Sequence, residues 1–181
     1  MNIFFDFIIM ILLYFLCFFM KWKNKGKRIF LIHTLIYIYI VFVFYFTLMP
    51  FVMPIPGGNN LFMESANLIP FSDLLNQRKG AKLQIVLNVF MFVPFGFLLS
   101  LKRNKKLVNI IFYSFFFSLF IETIQLLYVW SGSITYRIFD VTDLITNTFG
   151  GCIGVIIYFI LKKYYPSMYT VQWNQLLCRE Q

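Results

Sequence analysis

Apolar residues in this chain run in long blocks and do not alternate with polar ones. The blocks are Ile3–Met20, Ile29–Met49, Leu83–Leu101, Leu107–Trp130 and Leu144–Leu161. Each comes close to the ~20 residues that a helix needs to cross a bilayer core. The pattern predicts an all-α fold, a polytopic bundle of five transmembrane helices.

The connections set an orientation. Lys21, Lys23, Lys25, Lys27 and Arg28 follow the first block, Lys102, Arg103, Lys105 and Lys106 the third, and Lys162, Lys163 and Arg179 the fifth. These three clusters hold 12 of the 16 basic residues, so by the excess of Lys and Arg in inner loops they mark the cytoplasmic side. The N-terminus is then outside and the C-terminus cytoplasmic. The other side carries Arg78, Lys79, Lys82 and Arg137 against Glu64, Asp73, Asp140 and Asp143, with no net charge. The first block has no basic segment before it and no small-residue cleavage site, so it is an anchor and not a removed signal. Three parts follow: residues 1–28, a first helix with its basic loop; 29–161, a four-helix membrane domain with an outer loop at 51–82; and 162–181, an interfacial tail. In the outer loop Pro50, Pro54, Pro56, Gly57 and Gly58 end the second helix, and Ser72 is expected to cap a short helix over Phe71–Gln77.

Composition narrows the class. Of 181 residues 60% are hydrophobic, 22% aromatic and 13% charged, too apolar for one water-soluble domain or for a disordered chain. The net charge of +9 lies in loop clusters and not on one soluble face, which argues against a nucleic-acid partner and for membrane lipids. Cys17, Cys152 and Cys178 match no disulfide or zinc spacing. No phosphate loop, zinc-protease motif or nucleophile elbow occurs, and neither cofactor nor metal is expected. The aromatic residues are expected to be bulk facing lipid.

Polar residues inside the blocks are expensive, and so they are informative. At ~1.5 Å per residue, Asn88, Glu122 and Asn147 come to similar depths, all in the outer half. Glu122 and Gln125 share a helix face, as do Asp140, Asp143 and Asn147 if that turn is helical. Arg137 opens the same segment and is expected to pair with an aspartate. These residues are expected to form an outward-facing polar site, with Pro94 kinking the third helix to widen it. Gly150 and Gly154 form GxxxG, which permits close packing within one chain or in a homo-oligomer.

The elements Asn67-Leu-Ile-Pro70-Phe71, Asn88 to Gly96, Glu122-Thr-Ile-Gln125 and Arg137-Ile-Phe-Asp140-Val-Thr-Asp143 through Asn147 to Gly151 occur in that order. Together they resemble the VanZ-like family of bacterial membrane proteins, over about Tyr45 to Leu161. The resemblance implies a location in the bacterial cytoplasmic membrane and adds Asn67 to the site. It also implies lowered susceptibility to teicoplanin, a lipid-tailed glycopeptide, without remodelling of the peptidoglycan terminus that vancomycin reads. The ligand would be a lipoglycopeptide or a lipid-linked peptidoglycan precursor. The alternative is an enzyme acting on a lipid-linked envelope substrate, with Glu122, Asp140 and Asp143 as the candidate acid, base or orienting groups and Arg137 suited to a substrate phosphate.

Overall fold

A computed structural model describes residues 3–51, 62–101, 107–132 and 139–165. Arg137, most of the Pro/Gly-rich stretch after Phe51 and the tail beyond Tyr165 lie outside the described residues. Among the described residues five helices are long and apolar enough to cross a membrane: α1 (Ile3–Trp22), α2 (Lys27–Thr47), α4 (Ala81–Ser100), α5 (Leu107–Trp130) and α6 (Val141–Tyr164). Among the described residues between α2 and α4 are a short α3 (Ser72–Leu75) and a 3-10 turn (Phe62–Ser65). The helix ends fall within three residues of the ends of the apolar blocks. The start of α6, three residues before its block, is set by Asp140, whose side chain accepts from the Thr142 N–H, satisfying one of the donors that a helix start leaves open.

The tightest joint in the bundle is between α4 and α6. An added Cβ at Gly150 would stand 2.2 Å from the Val89 carbonyl oxygen, and one at Gly154 would stand 2.1 Å from that of Val93. Successive contacts advance by four residues on both helices in the same direction, so α4 and α6 run parallel. Lipid offers apolar groups no reason to leave it, and close van der Waals contact is what holds such helices together. The GxxxG of α6 is therefore spent within one chain. On the other side of α6, Gly151 accommodates the Ser114 side chain of α5.

Where α2, α4 and α5 meet, Val43, Leu48, Phe92, Phe95 and Ile121 form a buried cluster. The Phe95 and Phe117 rings stack at 4.8 Å between centroids, and the Tyr39 hydroxyl crosses to the Met91 carbonyl at 2.8 Å. Part of the aromatic excess is thus core and not lipid-facing bulk: Phe92 is wholly buried, whereas Phe90 is 69% exposed. Hydroxyls within the helices are mostly satisfied by carbonyls one turn back, as at Ser114, Thr123 and Thr148, which makes them tolerable in an apolar setting. The helix α4 continues through Pro94 without ending.

The helices α1 and α2 form a hairpin. The Tyr14 hydroxyl meets Thr34 Oγ1 at 2.8 Å, Tyr37 donates to the Met10 carbonyl, and Trp22 stacks on His33 at 3.6 Å. At the opposite end of α1, Asp6 is wholly buried and accepts from the Phe51 N–H at 3.0 Å. That bond ties α1 to the chain leaving α2.

Candidate functional site: a polar network at one end of the bundle

The site is built by two segments that meet far from each other in sequence. Asn67 and Asp140 form a parallel bridge, in which the Asn67 N–H donates to the Phe139 carbonyl at 2.8 Å and the Val141 N–H to the Asn67 carbonyl at 3.0 Å. Side chains reinforce it: Asn67 Nδ2 donates to Asp140 Oδ2 at 3.0 Å. The other oxygen of Asp140 caps α6 through the Thr142 N–H at 2.7 Å. Glu122 of α5 then closes the network, its Oε2 accepting from the Asp140 N–H at 3.0 Å. One aspartate thus joins the loop before α3, the start of α6 and the middle of α5.

Ser72 departs from its expected role. The helix α3 begins at Ser72 with Phe71 in the capping position, at φ 59 and without a side-chain cap. Ser72 Oγ donates instead to Asn67 Oδ1 at 2.8 Å, because the backbone bridge holds that amide within reach. The left-handed Phe71 is in turn held by its N–H donating to Thr142 Oγ1 at 2.9 Å. The helix also stops at Leu75 and does not reach Gln77.

Asp140, Asp143 and Asn147 do not form one row. Asp140 precedes α6 and points into the loop bridge, while Asp143 lies in the first turn, where a helix N-terminus favours negative charge. Gln84 Nε2 of α4 faces both Asp143 oxygens at 3.4 Å, and Asn88 stands beside Asp143 one turn further along α4. The Asn88 amide nitrogen is buried without a hydrogen-bond partner among the described residues, as is Asn147 Oδ1. Asn147 uses its nitrogen to reach Ser118 Oγ on α5 at 2.9 Å. Gln125 turns away, donating to the Thr47 carbonyl of α2 at 3.0 Å, so it joins helices and lies apart from the carboxylates.

Burial divides the carboxylates by role. Glu122 is 1% exposed and Asp140 4%, and both are engaged with backbone amides. Asp143 is only partly buried and borders a cleft with Asp73, Leu74, Gln84 and Ile85. The closed volume of this cleft is about 10 Å³, room for about one water. Among the described residues, the ion pair is Arg78 with Asp73 at 3.1 Å, at the rim, and no group of three or more His, Cys, Asp or Glu is placed to hold a metal ion. The expected partnership of Arg137 lies outside the described residues. Chemically, then, Glu122, Asp140 and Asn67 are a brace, and Asp143 with Gln84 is the face able to accept and donate hydrogen bonds to a visitor.

Sequence reading overlooked Asp6, Gln84, Ser118 and Thr142. A lone acid inside an apolar run already marked Asp6, and Asp140-Val-Thr-Asp143 has the spacing of a helix-start box, which pointed to Thr142 and the cap. Gln84 and Ser118 carry no local signal.

Comparison with known proteins identifies relatives of this chain by sequence. A family profile described as VanZ/LLP1 matches residues 36–162. Among curated proteins, "Protein VanZ" from Enterococcus faecium is 32% identical over 108 residues, which cover 58% of this chain and 59% of that protein. No solved structure matches.

Proposed function

The chain belongs to the VanZ-like family of membrane proteins, and from that premise we propose that it lowers susceptibility to teicoplanin-type lipoglycopeptides at the outer leaflet of the bacterial cytoplasmic membrane. In this reading it binds or shields a lipid-anchored ligand, a lipoglycopeptide or a lipid-linked peptidoglycan precursor. The observation that carries it is the brace itself. Asn67, Glu122 and Asp140 lock two loop segments together beside Asp143 and Gln84, at the end of the bundle opposite the basic clusters. The charge asymmetry of the loops supports reading that end as the outer one.

A buried carboxylate used only as helix glue is an inefficient choice. Here it aligns a polar face that a headgroup at the membrane surface can reach. Among the described residues the network holds no nucleophile paired with a base, which supports a reading of binding over one of bond-making.

Cells expressing the protein are expected to bind less fluorescently labelled teicoplanin than cells without it, and their label is expected to return toward the control on Asp143→Asn. Unchanged labelling together with unchanged susceptibility would contradict the reading. An altered lipid-intermediate profile would favour the enzyme alternative instead.

A further inference from the structure

We propose that the α1–α2 hairpin binds one anionic phospholipid, with its headgroup on Lys21, Lys23, Lys25 and Lys27 and one acyl chain in the groove between the helices. This site is separate from the polar network and does not rest on the reading above. Most of it also precedes the segment matched by the family profile, which begins at residue 36.

The groove has a volume of about 300 Å³ and is lined by Met10, Tyr14, Phe15, Thr34, Tyr37 and Ile38, among others. Its walls are almost wholly apolar, because the hydroxyls in it are already engaged: Tyr14 with Thr34, and Tyr37 with the Met10 carbonyl. Those two ties hold the helices together while leaving the space between them unfilled. Over Tyr14–Phe19, at the groove's end, α1 widens into a π-helical stretch. Such bulges recur at functional sites because they re-aim side chains that a regular helix would stack.

The charge lies where a lipid headgroup would need it. Lys21 is six residues beyond Phe15 and Lys27 seven before Thr34, so the lysines stand about 9–10 Å along the helices from the groove. Lys21 and Lys25 lie over the Trp22 ring at 5.6 and 5.1 Å, and Lys23 over Phe19 at 5.8 Å, which holds two ammonium groups on one ring and a third on another at the same end of the hairpin. The sequence contains no Asp or Glu from residue 7 to 63, so the hairpin's own acid, Asp6, stands at the far end from the lysines. A neutral lipid or a second apolar helix would fill the groove but leave this charge unanswered. A phospholipid with a net negative headgroup answers both, and basic pockets between membrane helices are suited to such headgroups.

The test uses the full chain, purified in neutral detergent, stripped of lipid and titrated with dioleoyl phosphatidylglycerol or dioleoyl phosphatidylcholine under native mass spectrometry. Wild type is expected to take up one phosphatidylglycerol at least about fivefold more tightly than phosphatidylcholine, the scale of surface attraction to a single lysine. The combined variant K21Q/K23Q/K25Q/K27Q is expected to bind the two lipids equally. Ile38→Trp, which fills the groove, is expected to weaken both while keeping the preference. Equal binding by wild type would overturn the proposal without recourse to any variant. So would a preference that survives the four lysine substitutions, or affinity unchanged in Ile38→Trp.

Discussion

Asp140→Ala is expected to destabilise the bundle by about 2–4 kcal/mol. The substitution removes the cap of α6, a loss of about 1 kcal/mol in other helices. It also strands the part-buried Asn67 amide that Asp140 Oδ2 accepts from, at about 1–3 kcal/mol for an unmatched polar group. The backbone N–H that reaches Glu122 stays, so the Glu122 contact is loosened and not deleted. Asp140→Asn should lie between wild type and alanine, since its oxygen still caps α6 while its amide nitrogen faces that of Asn67. Thermal unfolding in detergent, followed by loss of the monodisperse peak, measures all three. An alanine variant as stable as wild type would mean that the loop bridge contributes nothing.

Gly154→Ala is expected to cost about 3 kcal/mol, the upper range for overpacking, although it adds one methyl group. The new Cβ would stand 2.1 Å from the Val93 carbonyl oxygen and 2.7 Å from the Phe97 nitrogen. Both are backbone atoms of α4, so no side chain is able to turn aside and the helices themselves must part. Since Gln84 and Asp143 face each other across the same joint, parting it also opens the cleft. Ile156→Ala, on a face of α6 that is 55% exposed at that residue, serves as the control and is expected to leave the midpoint nearly unchanged. The loss at Gly154 should not vary with protein concentration, because the packing is within one chain. A concentration-dependent loss would point to an interface between copies.

The five helices were legible because a membrane imposes a length and a polarity on every span, and those constraints are local in sequence. Leu107–Trp130 was read with its observed ends, while Leu144–Leu161 fell three residues short at each end of Val141–Tyr164. The shortfall arises because hydropathy sees the apolar interior of a span, and the end turns are set by caps and lysines. For the site, depth arithmetic gathered Glu122, Asn88 and Asn147 to one end. It did not separate their partners: Gln125 serves α2, and Asn147 serves Ser118. Nothing in the sequence could pair Asn67 with Asp140, 73 residues apart, since no periodicity spans a loop. The family motif order carried Asn67 into the site, and the backbone bridge supplies the physical reason for its place there.

The central claim is that this braced polar end performs the function, and antibiotic susceptibility tests it most directly. A sensitive Gram-positive host would express wild type, Glu122→Gln or Asp143→Asn at equal membrane levels, with vancomycin as the internal control. Gln retains an oxygen for the Asp140 N–H, so the fold is kept while the carboxyl group is removed. The account predicts a raised inhibitory concentration for teicoplanin alone with wild type, lost in both variants. Equal susceptibility of all strains to both drugs, or resistance untouched by either substitution, would contradict it.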